Sequence, residues 1–136
     1  MSYGMSAALQ EAVYQQLSGD DAIVAKVGTA IFDVAPTGDV PPIYISLGPE
    51  DVTEAGDAGA NGARHKFSVT VICATGGFYA AKTLAGRISD VLHGATPAMT
   101  RGRVVLLRFQ RASARRTKAG TGRRIDLWFE ARLDDD

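Results

Sequence analysis

His65-Lys-Phe-Ser-Val-Thr-Val-Ile-Cys-Ala74 decides the fold. Phe67, Val69, Val71 and Cys73 fall on one side of an extended chain, and Lys66, Ser68, Thr70 and Ile72 on the other. Alternation of this kind is the mark of a strand that buries one face. Such a strand needs neighbours for its backbone and a second layer over its apolar side. The sequence on either side supplies both.

Downstream, Thr75-Gly76-Gly77 breaks the strand, and residues 78–93 follow with apolar side chains at Phe78, Ala81, Leu84, Ala85, Ile88, Val91 and Leu92. That spacing predicts one long helix with a single packing stripe, ended by Gly94 and Pro97. Residues 103–111 and 123–133 alternate again. Val105, Leu107 and Phe109 are expected to line one face of the first. Ile125, Leu127, Phe129, Ala131 and Leu133 line one face of the second.

Upstream, Ile43, Ile45 and Leu47 alternate behind the pair Pro41-Pro42, which suits a strand start or an edge. Residues 30–34 read as a short strand. Residues 6–17 read as a helix with Ser6 as its N-cap, and a second helix over about 21–27 is capped by Asp20 or Asp21 and stopped by Gly28. Residues 54–63 are small and glycine-rich and predict a flexible loop. Strands that follow one another without helical crossovers pair antiparallel. The expected fold is α+β: a mostly antiparallel sheet of four to five strands, with one long and one or two short helices packed on one face.

The chain has 136 residues, 46% of them hydrophobic and 22% charged, enough for one domain spanning 1–136 with a core of its own. The single cysteine, Cys73, excludes a disulfide framework and any zinc site built from several cysteines. It lies on the apolar face of its strand and reads as a buried thiol. No apolar run reaches the ~20 residues of a membrane helix, and no secretion signal is visible, so the expectation is a protein without a membrane.

Chemistry is scarce. His65 and His93 have no second histidine or cysteine at ligand spacing. His65, between Arg64 and Lys66, reads as part of an exposed basic cluster, and His93 as a helix C-terminal cap. Asp20–Asp21 and Glu50–Asp51 fit caps and turns better than an acid–base pair. No nucleophile elbow or phosphate-cradling glycine loop is present. The expectation is no catalytic residue, no metal and no cofactor, and hence no enzyme.

Surface charge is the informative feature. Residues 1–63 carry one basic side chain, Lys26, against nine acidic ones, whereas residues 101–132 carry ten basic against two acidic, followed by the acidic tail Asp134 to Asp136. Either the molecule has two oppositely charged surfaces, or the halves interleave in space and cancel. The connection 111–124 holds Arg111, Arg115, Arg116, Lys118, Arg123 and Arg124 and no acid. It suits a polyanion or an acidic protein face, but it has no aromatic to stack on bases. Trp128 lies among Arg124, Asp126, Glu130 and Arg132, opposite the apolar stripe, and reads either as an interface anchor or as cover for the sheet edge within one subunit. These six cations and Trp128 are the candidate contact residues.

The order of elements carries a family resemblance. A starter helix runs into Leu17-Ser-Gly-Asp-Asp-Ala22, followed by Val27-Gly-Thr-Ala-Ile-Phe-Asp33 and Pro41-Pro-Ile-Tyr-Ile-Ser-Leu-Gly48. Then come Phe67-Ser-Val-Thr-Val71, an amphipathic helix and a closing strand pair. Over roughly residues 6–133 this resembles the tail terminator (tail completion) proteins of long-tailed phages and phage-derived gene transfer agents. The family's Pro-Tyr-Ile phrase is here Pro42-Ile-Tyr-Ile45, with one residue inserted.

The resemblance implies a structural protein that forms a hexameric ring on the head-proximal end of the tail tube. Its partners would be other copies of itself, the tail tube protein and a neck or head-completion (stopper) protein. DNA would pass through the lumen without specific binding, and assembly would take place in the bacterial host cytoplasm. The alternative is a small nucleic-acid-binding module using the hairpin 111–124. A third reading is an enzyme with a pocket near Thr75–Phe78.

Overall fold

In the computed structural model, residues 3–34, 37–55, 62–74, 77–118 and 120–135 are described. Helix α1 (Ser6–Ser18) and helix α2 (Asp21–Val27) come first, then strands β1 (Ile31–Phe32), β2 (Ile43–Glu54) and β3 (Gly62–Cys73). Helix α3 (Phe78–Leu92) and the long strands β4 (Arg103–Arg116) and β5 (Arg123–Asp134) complete the chain. The sheet runs β1-β2-β3-β5-β4, parallel only between β1 and β2. This is the α+β architecture expected, with α3 packed on β3, β4 and β5, α2 on β2, and α1 on the other two helices.

Alternation on β3 and β5 explains why the helices lie on one side. The pairs Phe67–Phe129, Val69–Leu127 and Val71–Ile125 sit in register and face the helices. Phe129 is fully buried, and its ring lies 5.7 Å from Phe67 and 5.9 Å from Phe109. Each such side chain contributes about 1.5–3 kcal/mol by leaving water. From the helices come Leu9, Val13, Leu17, Ile23, Leu84, Ile88 and Leu92.

The caps are mostly local chemistry. The Asp20 carboxylate accepts from Ile23 N–H at 3.1 Å, and Gly28 closes α2 with φ +59°, a conformation that glycine adopts without strain. The Ser6 hydroxyl, expected to cap α1, instead donates to the Glu50 carboxylate, and Met5 stands at the N-cap without a side-chain bond.

Two bulges shift strand phase away from the simple alternation. In β2 the register slips between Leu47 and Glu50. Gly48 lies against Ser68 with no room for a Cβ, and Pro49, which has no N–H to give a ladder, occupies the slip. After the slip Glu50 pairs with Phe67 and Val52 with His65, so Glu50 turns toward the helix side. In β4 a slip between Val104 and Leu106 puts Val104, Leu107 and Phe109 against the core and leaves Val105 exposed, contrary to the expected Val105 stripe. A further slip between Phe109 and Arg111 follows.

Strands also run further than their alternation suggested. Strand β2 continues to Glu54 and β3 begins at Gly62, with Ala55 N–H bonded to Gly62 C=O at 3.1 Å. Residues 56–61 of the expected loop, like Thr75 and Gly76, lie outside the described residues.

Phe129→Ala removes the ring on which two others pack. It should cost about 3–5 kcal/mol, read by urea denaturation at constant m-value. A loss below about 1 kcal/mol would show that the core does not centre there.

Candidate interaction surface

The face of the sheet away from the helices carries Arg64, Lys66, Ser68 and Thr70 from β3, and Arg124, Asp126, Trp128, Glu130 and Arg132 from β5. Strand β4 adds Arg108, Arg111, Ser113 and Arg115. Cations outnumber acids among these residues, and Asp126 and Glu130 are each held by several donors.

Glu130 is only 8% exposed. Arg64 Nε reaches its Oε2 at 2.6 Å, while Arg108 Nη2 and Gln110 Nε2 both reach Oε1 at 2.9 Å. The Arg108 hydrogen bond holds this carboxyl below its ordinary pKa against the opposing effect of burial, helped by the charges of Arg64 and Lys66. Asp126 accepts from the Thr70 hydroxyl at 2.7 Å and from Arg124 Nε at 3.2 Å, with Arg115 Nη2 at 3.4 Å. Burial pushes its pKa up, but these donors outweigh it and the net shift is downward.

The candidate residues do not form one hairpin tip. Arg111, Arg115 and Arg116 belong to β4, and the strand ends where Thr117 N–H bonds Gly122 C=O at 3.0 Å. Arg111, Arg115, Arg124 and Trp128 share the open face, with the Arg111 guanidinium 5.6 Å from the Trp128 ring centre. Arg116 and Arg123 pair with each other on the helix side, in phase with Cys73. Arg123 stacks 4.9 Å from the Phe78 ring. Lys118 is exposed. Arg116 and Lys118 have no hydrogen-bond or ion-pair partner among the described residues.

The charged halves therefore cancel only in part. Arg87 clamps Asp20 through two bonds, at 2.6 and 3.0 Å, and Arg101 and Arg103 hold Asp135 and Asp134 of the acidic tail. Glu11 and Asp33 have no such partner among the described residues. Asp136 and Ala119 lie outside them.

Two polar groups depart from expectation. His65 is fully buried, because it shares the phase of Phe67 on β3; its flanking Arg64 and Lys66 point the other way. Its Nδ1 faces Glu50 Oε2 at 3.4 Å, and its Nε2 has no partner among the described residues. Glu50, expected at a turn, also accepts from the hydroxyls of Ser6 and Tyr3, tying the start of α1 to β2. Burial raises its pKa, and the three hydrogen bonds lower it by more. The β2 bulge that creates this cluster left only the Gly48-Pro49 pair as a sequence signal. His93 does stand at the end of α3, where its Nδ1 accepts from Phe109 N–H at 3.0 Å.

No group of acids, histidines or cysteines able to hold a metal occurs among the described residues, and no helix there is long and apolar enough to cross a membrane.

The family described as tail completion protein gp17 matches residues 11–134. This chain belongs to that family. A solved structure titled "Virion of native gene transfer agent (GTA) particle" contains a chain 49% identical to it, covering 98% of this chain and 99% of that one with a TM-score of 0.92. No curated protein matches. As a tail completion protein, the chain is a structural component of a phage-like particle.

Glu50, Asp126 and Glu130, each held below its ordinary pKa in the fold, should make this tail completion protein acid-sensitive. Their folded pKa values lie below the unfolded ones, so their stabilisation is complete above about pH 5 and is lost as pH falls through the folded values. Thermal melts should show Tm falling steeply below about pH 4. Glu130→Gln should lower Tm at neutral pH and flatten the acid slope. A wild-type Tm unchanged into acid contradicts this electrostatic assignment.

Proposed function

We propose that the protein forms a ring on the head-proximal end of a tail tube, stops tube growth there and presents the surface to which a neck or stopper protein attaches. What supports this most directly is similarity over 98% of the chain to a chain of a gene transfer agent virion, together with the match to the tail completion family. A ring closes by heterologous contacts, in which one patch of each subunit meets a different patch of the next. A chain that keeps free acids such as Glu11 and Asp33 apart from free cations such as Arg116 and Lys118 has both patches to offer.

The same arrangement suits passage of DNA without capture. Arg64, Arg108, Arg115 and Arg124 each face a carboxylate of the same sheet, which reduces the charge left to neutralise phosphates. In this reading the protein works by contact with other chains.

Two measurements test this function. Tail tube protein polymerising in the presence of this chain should give tubes that stop lengthening, each capped at one end in electron micrographs. The triple variant Arg115→Ser, Arg116→Ser, Lys118→Ser should keep its melting profile and lose capping. Tubes that grow on regardless of wild-type protein overturn the proposal; a triple variant that caps normally removes those three residues from it.

A further inference from the structure

The two edges of the sheet differ in a way that fits one to the other. At the β4 edge, the end of α3 protects only the first half of the strand. Gly94 N–H donates to Leu107 C=O at 2.8 Å, and His93 receives Phe109 N–H. Beyond the second bulge, residues 110–116 are all exposed. There a groove of about 290 Å³ opens between α3 and the strands, with Ala112, Ala114, Ile125 and Leu127 along β4 and β5 and Ala85 and Gly86 along α3. Lys82 lines it, and Arg116 stands on the same side of β4 one step past Ala114. An unpaired strand edge beside an apolar groove is a site at which another chain adds.

At the opposite edge, α1 and β1 border a second hollow lined by Glu11, Tyr14 and Asp33. Tyr14 is 40% exposed there, and Val34, next to Asp33 in the chain, is 81% exposed. The β4 groove is walled by the small side chains of Ala85, Gly86, Ala112 and Ala114 over apolar Ile125 and Leu127, and carries Lys82 where this edge carries Glu11 and Asp33.

We propose that the β4 groove of one copy of this chain receives the α1–β1 edge of a second copy, with Tyr14 and Val34 entering the groove and Glu11 and Asp33 meeting Lys82 and Arg116. Because the two patches lie at opposite edges of one sheet, the contact is heterologous and repeats from copy to copy. This rests on the ring reading above and identifies the surfaces that would build it. It also separates the groove side of β4 from the open face, where Arg111 and Trp128 remain for other partners.

The test uses two charge-reversed full-length proteins: Glu11→Arg with Asp33→Arg, and Lys82→Glu with Arg116→Glu. Sedimentation should show each alone self-associating more weakly than wild type by about tenfold or more. Mixed in equal amounts, the two should recover the wild-type assembly, since every contact then joins opposite charges. Ala112→Trp, which fills the groove without changing charge, should block assembly with Tm retained. Reversed variants that associate like wild type, or a mixture that stays dissociated while wild type assembles, overturn the edge-to-edge contact and leave the ring reading standing. Wild-type protein that never associates, even with tube ends present, overturns the ring reading itself.

Discussion

Everything in this molecule hangs on the pairing of β3 with β5. Twelve residues of each strand run antiparallel in unbroken register, from Gly62–Asp134 to Cys73–Arg123. That register gives the sheet two unlike faces. Phe67 and Phe129 stack on one, and stacking adds about 0.5–1.5 kcal/mol beyond burial. Thr70 and Asp126 bond on the other. A one-residue slip would put Phe129 and Leu127 in water and Asp126 and Glu130 against the helices, a cost far larger than any gain from altered contacts.

Bulged outer strands then fit themselves around this regular pair. On β2, the slip at Gly48-Pro49 swings Glu50 inward, where Tyr3, Ser6 and His65 fasten the first helix to the sheet. On β4, the two slips bring both Arg108 and Gln110 onto Glu130 and free the far end of the strand from helical cover. The same deviations that anchor the N-terminal helix and neutralise the central acid leave an exposed edge. In the proposed ring, such an edge is the surface that a neighbouring copy meets.

Much of this was legible in the residues. The apolar stripe of α3, the Asp20 cap, the apolar face of β3 and β5 and the outward Trp128 all follow from local chemistry and appear as read, whereas Ser68 and Thr70 on the other face of β3 are buried too. Local pattern failed where a strand changed phase. His65 sits beside two cations in sequence, yet its parity with Phe67 buries it. Val105 belongs to an alternation that a bulge interrupts. The cations of 111–124 look like one cluster in the chain, but strand geometry sends Arg116 and Arg123 to one side and Arg111 and Arg124 to the other. Long-range partners such as Arg87 for Asp20 have no local signature at all. Function lay further still from the residues: composition excluded chemistries, and only the whole-chain pattern pointed to a tail completion protein.

The most direct test of the assembly is the absolute mass of the purified protein by light scattering behind a sizing column, at low, physiological and high salt. A ring held by complementary charged edges predicts a mass near that of six subunits at low salt, dissociating as screening increases. A single-subunit mass at every salt concentration, unchanged when tail tubes are added, contradicts it.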